Sequence, residues 1–323
     1  MSNIREIAKK ADISIATVSR YLNGSGNVSE EVSEKIQKAI DELNYTPNAL
    51  ARAMLTKSSK TIGLMVPNIS NPFFNQMASI IEEYALKKGY TIFLCNTDDN
   101  REKERNYLEM LKSHRVAGII ATRSHLKEEY VNIGIPVVAF ENHILDSIIT
   151  VSSDNYNGGR MAFKHLYEKG CKKILHIKGP QTFEATELRH KGFSDEAKEH
   201  NMEIDVISLQ NDFQIKMLKE DIKSMKDIIK YDGIFVFNDI AAATVMRALK
   251  KQGVVIPKEV QLIGFDNSFI GELLFPSLTT IHQPIVELST KIIELLIKTI
   301  KGESVEVQNY IMDVKLIERE TTL

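Results

Sequence analysis

Apolar positions at the start of the chain recur with helical spacing. Ile4, Ile7, Ala8 and Ala11 fall at i, i+3, i+4 and i+7, one face of a short helix. The stretch Ala11-Asp12-Ile13-Ser14 interrupts that pattern, and Ser14 suits the N-cap of a second helix, because its hydroxyl can accept from a free first-turn amide. Val18 and Leu22 give this second helix a buried stripe and leave Ile15, Ala16, Thr17 and Arg20 outward. Ser29 is placed to cap a third helix, with Val32, Ile36, Ala39, Ile40 and Leu43 along one face. Two short helices joined by a tight turn, the second with small, polar and basic outward residues, fit the helix-turn-helix plan. Residues 45–54 follow, with Pro47 suited to a first helical turn and about two turns of good helix formers after it. A helix this short is marginal alone and can fold on meeting a surface. Thr56-Lys57-Ser58-Ser59-Lys60 reads as a linker.

From Thr61 the period changes. Short apolar runs at 61–66, 91–94, 118–121, 136–140, 173–177, 233–237, 261–264 and 279–282 read as strands. Amphipathic helices over 74–88, 101–114, 157–169 and 240–252 fit between them. Alternation of this kind predicts an α/β body with doubly wound parallel sheets, and the strands are too many for one ordinary sheet. Two lobes with a cleft are expected, with ligands beyond the carboxyl ends of the strands. Polar residues stand at those ends: Asn68 to Asn71, Arg123, Glu141-Asn142, Asn238-Asp239 and Asp266-Asn267. Each alone fits a turn or helix cap equally well. Together with Phe73, Phe74, Phe183 and Phe213, they have the makings of a sugar site, where rings stack on aromatics and hydroxyls bond to charged groups.

The 323 residues, 43% of them hydrophobic, suffice for a small head and a large body. Charge adds little, since residues 1–60 hold nine Lys/Arg against seven Asp/Glu. The first residues are charged and lack the apolar stretch of a secretion signal, and no apolar run reaches the roughly 18 residues of a membrane span. A cytoplasmic location is expected, without membrane contact. Cys95 and Cys171 imply no disulfide framework. No His/Cys cluster has metal spacing, Gly24-Ser25-Gly26 lacks the context of a dinucleotide site, and no nucleophile elbow or phosphate-loop lysine is present. Neither a cofactor nor an enzymatic activity is expected.

The head and hinge resemble those of the lactose repressor / galactose repressor family of bacterial transcription regulators. The strings that carry this are Ala16-Thr17-Val18-Ser19-Arg20, Leu22-Asn23, Leu43-Asn44-Tyr45 and Pro47-Asn48-Ala49-Leu50-Ala51-Arg52. The body is similar to the same family, whose core resembles type I periplasmic binding proteins, through residues 62–67, 69–74, Gly179-Pro180, Arg189 with Gly192-Phe193, Gly264-Phe265-Asp266-Asn267, 278–284 and 316–319. The resemblance implies a head over 1–46, a hinge helix and linker over 47–60, and a body over 61–323. Its first lobe would span about 61–160 plus 291–323, its second about 161–290.

Carried over, Ile15, Ala16 and Arg20 would meet base edges, Arg20 suiting a bidentate contact to guanine. Ser14, Thr17, Asn23, Ser29, Tyr45 and Asn48 would position phosphates, and Ala51 and Met54 belong to the hinge in the minor groove. The wedge position, usually Leu in the family, is Met54, and the turn residue, often Gly, is Asp12. Effector contacts would be Phe73, Phe74, Glu141, Arg189, Phe213, Asn238 and Asp266, with Glu141 departing from the usual Asp. Arg123 is added from its place after the third strand, where it could pair with a sugar phosphate.

The implied protein is a homodimeric transcriptional regulator of a carbohydrate-utilisation operon, most simply a repressor. It would read pseudo-palindromic double-stranded DNA under control of a sugar or sugar phosphate. A purine-responsive or carrier-protein-responsive regulator of the same family is the alternative; a solute-binding protein without a DNA role is a second class, and a cytoplasmic enzyme on the same two-lobed scaffold a third. Deleting residues 1–57 separates these classes.

Overall fold

The computed structural model describes residues 3–23, 28–45, 59–181, 183–209, 228–306 and 308–323, excluding the side chain of Asn23. Expectations for Asn48, Ala51, Met54 and Phe213 lie outside the described residues. The chain divides into a unit over 1–59 and a unit over 60–323.

Among the described residues of the first unit are three helices, α1 (Ile4–Ala11), α2 (Ile15–Asn23) and α3 (Glu30–Glu42). Asn3 caps α1 by accepting from the amides of Arg5 (3.0 Å) and Glu6 (3.1 Å), while the Glu6 carboxylate accepts from the Asn3 amide. This is a capping box, which satisfies donors that a helix start leaves open. Asp12 ends α1 in the left-handed region (φ 53°, ψ 47°), as the turn demanded. The Ser14 hydroxyl accepts from the Thr17 amide at 3.2 Å, so Ser14 caps α2 as expected. Ser29 differs from expectation. Its side chain makes no capping bond, and its carbonyl instead takes both the amide and the hydroxyl of Ser33. Ile7, Ala8, Val18, Ile36 and Ala39 form the core, with Ile4, Leu22, Val32, Ile40 and Leu43 around them.

The second unit holds two six-stranded sheets. The first, ordered β11-β5-β4-β3-β1-β2, is wholly parallel. Its strands are β1 (Thr61–Val66), β2 (Thr91–Asn96), β3 (Gly118–Ala121), β4 (Val137–Phe140), β5 (Ile149–Ser153) and β11 (Asn309–Met312). Helices α4 (Pro72–Lys87) and α11 (Ile285–Ile300) cover one face, through Met77, Ile81, Ile292 and Leu296. Helices α5 (Arg101–Ser113) and α6 (Lys127–Asn132) cover the other, through Leu108, Leu111 and Tyr130.

The second sheet is ordered β12-β10-β9-β8-β6-β7 and comprises β6 (Ile174–Lys178), β7 (Ile204–Ser208), β8 (Gly233–Val236), β9 (Gln261–Asp266), β10 (Thr279–His282) and β12 (Lys315–Ile317). Only β12 runs antiparallel, beside β10. Helices α7 (Asn155–Glu168) and α8 (Glu184–Glu199) pack on one face, α9 (Asp239–Lys251) on the other, and the short α10 (Phe269–Leu273) follows β9.

The lobe limits shift from those expected. Helix α7 already packs on the second sheet, whereas α11 packs on the first. Residues 315–323 belong to the second lobe, because β12 pairs with β10 and the Leu262 amide donates to the Thr321 carbonyl. The first lobe is therefore 60–154 with 285–312, and the chain crosses near 153–155, 282–285 and 313.

Helices α7 and α8 meet backbone to backbone. A Cβ on Gly192 would lie 2.8 Å from the carbonyl carbon of Tyr156, and one on Gly159 would lie 2.9 Å from the amide nitrogen of Phe193. Both distances are too short for a real Cβ, so only glycine allows this approach. It brings Arg189 on α8 against the first turn of α7.

Candidate functional site

On the head, Ile15 (47% exposed), Ala16 and Arg20 of α2 are exposed, Ala16 and Arg20 on the face opposite buried Val18. Ser14, Thr17 and Arg20 are linked along it: the Ser14 and Thr17 hydroxyls lie 2.9 Å apart, and Arg20 Nη2 donates to Thr17 Oγ1 at 3.2 Å. Ser29 is exposed. Tyr45 is half-buried against the head core and its amide donates to Ile40, so this residue anchors the end of the bundle as well.

In the body, a cavity opens where the carboxyl ends of both sheets face each other, as doubly wound folds dictate. From the first lobe come Asn71, Phe73 and Phe74 at the start of α4, with Phe140 ending β4 and Glu141 after it. From the second come Phe183 and Arg189, Phe237 and Asn238 after β8, and Asp266 ending β9, with Gln283 on the crossing. The free space is about 350 Å³ when counted out into the open mouth, and little of it is enclosed. Phe73 lies parallel to Phe140 (centroids 5.9 Å apart) and edge-on to Phe74. Sequence reasoning thus placed Phe73, Phe74, Glu141, Arg189, Asn238 and Asp266 on one cavity. It missed Phe140, Phe237 and Gln283. The first two read as ordinary strand hydrophobes, and the last as an ordinary polar residue before proline.

Arg189 is buried and held on every side. Its Nε donates to Asn155 Oδ1 (2.8 Å), its Nη1 to the Phe237 carbonyl (2.7 Å), and its guanidinium lies 3.6 Å from the Phe265 ring centroid. Asp266 Oδ1 stands 3.8 Å from Nη1 and accepts from Gln283 Nε2 at 2.7 Å. Glu141 accepts from the Ser153 amide (2.7 Å) and from Asn155 Nδ2. Asn238 Oδ1 caps α9 through the Ala241 amide, which leaves its amide group for the cavity. Glu141 (φ 56°), Asp266 (φ 111°) and Asn267 (φ 56°) all hold positive φ. Such backbone strain, of order 1–3 kcal/mol each, gathers where function fixes geometry.

Burial raises Glu141 above the usual carboxylate range, against the pull of Arg189 and the Ser153 amide. Burial likewise pushes Asp266 well up, with Arg189 opposing and Asp239 adding to the rise. Behind them, Asp239 is raised to about 6, mainly by burial, despite bonds from Thr280 and Ser268. Among the described residues, the cavity wall sets two carboxyl groups whose charged forms burial disfavours beside one guanidinium, an arrangement that suits neutral ligands rich in hydroxyls.

Arg123 departs from expectation. It does not line the cavity. It is buried, its Nε lies 2.9 Å from Asp99 Oδ1, and its guanidinium stacks 5.3 Å from the Phe183 ring. Asp99 in turn meets His125 Nε2 at 2.7 Å. A phosphate would have to displace an existing carboxylate there.

Among the described residues, no group of three or more His, Cys, Asp or Glu could hold a metal ion, and no helix is long and apolar enough to cross a membrane.

Comparison with known proteins agrees with this architecture. A family described as "Bacterial regulatory proteins, lacI family" matches residues 3–48, and one described as "Periplasmic binding protein-like domain" matches residues 163–322. The chain is 42% identical over 324 residues to a ribose operon repressor of Halalkalibacterium halodurans, covering 100% of this chain and 97% of that one. It is 36% identical over 323 residues to a sucrose operon repressor of Streptococcus mutans, covering 99% of each. A solved periplasmic binding protein/LacI transcriptional regulator from Alkaliphilus metalliredigens, complexed with D-xylulofuranose, is 77% identical. It matches with a TM-score of 0.80 over 82% of this chain and 100% of its own.

Proposed function

We propose the following function for this chain, which belongs to the lacI family of bacterial regulatory proteins. It is a non-enzymatic transcriptional repressor, acting in the cytoplasm as a homodimer on a pseudo-palindromic operator. It answers to a small uncharged sugar, a pentose in its furanose form, held between the lobes. Residues Ser14 to Arg20 of α2 enter the major groove, with Ile15, Ala16 and Arg20 toward base edges.

The observation that carries the choice of sugar is the charge of the cavity: Glu141 and Asp266 are both buried beside the single guanidinium of Arg189. A sugar phosphate would bring a dianion beside two carboxyl groups whose own ionised forms burial already disfavours, and the Arg189 guanidinium that faces them is already bonded to Asn155 and the Phe237 carbonyl. Pentose hydroxyls donate to the carboxylates instead, while the phenylalanines cover the apolar ring face. The small cavity favours a monosaccharide. The relatives named for ribose and solved with D-xylulofuranose support the same class. The exposed apolar residues Phe93, Leu94, Phe269, Leu273 (76%) and Phe275 (85%) favour a surface covered by a second copy.

The sugar can shift operator affinity only through different affinities for different lobe arrangements. The test is titration calorimetry of the full chain with D-xylulose, D-ribose, their 5-phosphates and sucrose, alongside operator binding with each sugar. A free pentose should bind at least about 100-fold more tightly than its phosphate, as expected for a difference near 3 kcal/mol. Tighter binding of a phosphate, or sugar binding that leaves operator affinity unchanged, overturns the reading.

A further inference from the structure

Six side chains around the cavity close into a ring that also runs through two of the three lobe crossings. Arg189 Nε donates to Asn155 Oδ1 at 2.8 Å, and Asn155 Nδ2 donates to Glu141 Oε2. Glu141 Oε1 accepts from the Ser153 amide, and Ser153 Oγ donates to Gln283 Oε1 at 2.7 Å. Gln283 Nε2 donates to Asp266 Oδ1, which stands 3.8 Å from Arg189. Arg189, Glu141, Asp266 and Gln283 line the cavity; Asn155 and Ser153 do not.

Asn155 is 1% exposed, and its amide is saturated. The oxygen serves Arg189, while the nitrogen serves Glu141 and the Ser153 carbonyl (3.0 Å). Arg189 cannot shift toward a ligand without turning that amide. Turning it breaks two bonds to groups at the end of the first lobe, each buried and costly to leave unmet. Ser153 and Asn155 occupy the crossing near 153–155, and Gln283 the crossing near 282–285. A change of lobe angle is a change of backbone torsion at those crossings, so it must deform the same ring.

We infer that Asn155 and Ser153 are positioning residues that couple occupancy of the cavity to the angle between the lobes, without touching the sugar. This deepens the proposed function and rests on the cavity being the sugar site.

The experiment uses the full chain as Asn155→Ala and, as the milder change, Ser153→Ala, which keeps the Glu141 backbone bond and removes the hydroxyl's links to Gln283 and to the Glu141 carboxyl. One readout is the ratio of operator affinities with and without saturating D-xylulose, on a duplex selected with the unsubstituted chain from a random library. Allosteric ratios are typically about 5- to 150-fold. The ratio should fall toward one in Asn155→Ala and partway in Ser153→Ala, even at sugar concentrations that saturate each variant. A merely structural role lowers stability and sugar affinity but leaves the ratio intact.

The second readout needs no sugar. Spin labels at the exposed positions Lys112 and Lys251, one in each lobe, report the interlobe distance distribution, with Cys95 and Cys171 buried and out of reach of the label. Both variants should broaden it. Unbroadened distributions, or an unchanged ratio in folded protein, overturn the inference. Failure of the unsubstituted chain to bind either D-xylulose or D-ribose sinks the proposed function instead, and leaves the distance measurement to decide this one.

Discussion

Gly192→Ala adds one methyl group at the closest backbone crossing in the body. The new Cβ would stand 2.8 Å from the Tyr156 carbonyl carbon, where carbon contacts settle at about 3.5–4.0 Å. Helices α7 and α8 must part by at least about 1 Å to admit it, since the Tyr156 carbonyl oxygen stands nearer still. The 2.8 Å bond from Arg189 to Asn155 then lengthens to about 3.8 Å, beyond hydrogen-bonding reach. Overpacking costs about 1–3 kcal/mol, and losing a bond to a charged group costs about 1.5–3 kcal/mol. Higher helix propensity returns about 1 kcal/mol. The net is a loss of about 3 kcal/mol, which at roughly 2–4 °C per kcal/mol lowers the melting temperature by roughly 6–12 °C. Since Arg189 moves with its helix, D-xylulose should also bind about tenfold more weakly or worse. Differential scanning calorimetry and sugar titration read the two effects. Gly271→Ala is the control, because its nearest contact would be an ordinary 3.5 Å. If Gly192→Ala melts within 2 °C of the parent and binds the sugar unchanged, the tight crossing does not position Arg189.

Three further outcomes are expected. Asp239 is raised by burial from 3.8 to about 6, so its contribution to stability is complete below pH 4 and lost as pH rises through 6. Relative to Asp239→Asn, the parent should lose up to about 3 kcal/mol between pH 4 and 7.5 by denaturant titration, and parallel curves would refute the assignment. Asp12 holds φ 53°, and the Ile13 amide bonds the Ala8 carbonyl across that turn. Asp12→Val should cut hydrogen-exchange protection at Ile13 about tenfold, whereas Asp12→Gly should preserve it. Arg20→Ala should cost about 1–3 kcal/mol in operator binding and relax preference at one base pair per half-site. An equal loss on every base-substituted duplex would assign Arg20 to phosphate instead.

Where the hydrophobic period was long and regular, the sequence was readable. The stripes of α1 to α3, the buried runs of β1, β3, β8 and β9, and helices such as α5 and α9 lie within a few residues of expectation. The strands that escaped notice lack that signal. Strand β7 is an edge strand with mostly exposed residues, β11 is short and half-exposed, β12 has only three residues, none of them buried, and β5 is buried but carries Thr150 and two serines. The site followed the same logic. Asp266 stood out as a charge at an expected strand end, and Arg189 through the family resemblance. Asn155, Ser153 and Gln283 did not, since small polar residues at strand ends make caps and turns far more often. Arg123 misled for a related reason: its place in the chain was near the cleft, but its partner, Asp99, comes from a loop after β2 that no spacing rule connects to it.

The two lobes borrow from each other along the chain, and this sets an order on synthesis. The head needs only residues 3–45, so it can close while the ribosome is still adding the body. Neither sheet enjoys that freedom. The first waits for α11 and β11 at 285–312, and the second for β12 and the Thr321 bond to Leu262. Until then α4 and β1 lack the helix that covers them, and the apolar stripes of α7 and α9 face an unfinished sheet. A nascent chain would therefore carry a finished DNA-reading head well before any part of it could sense a sugar.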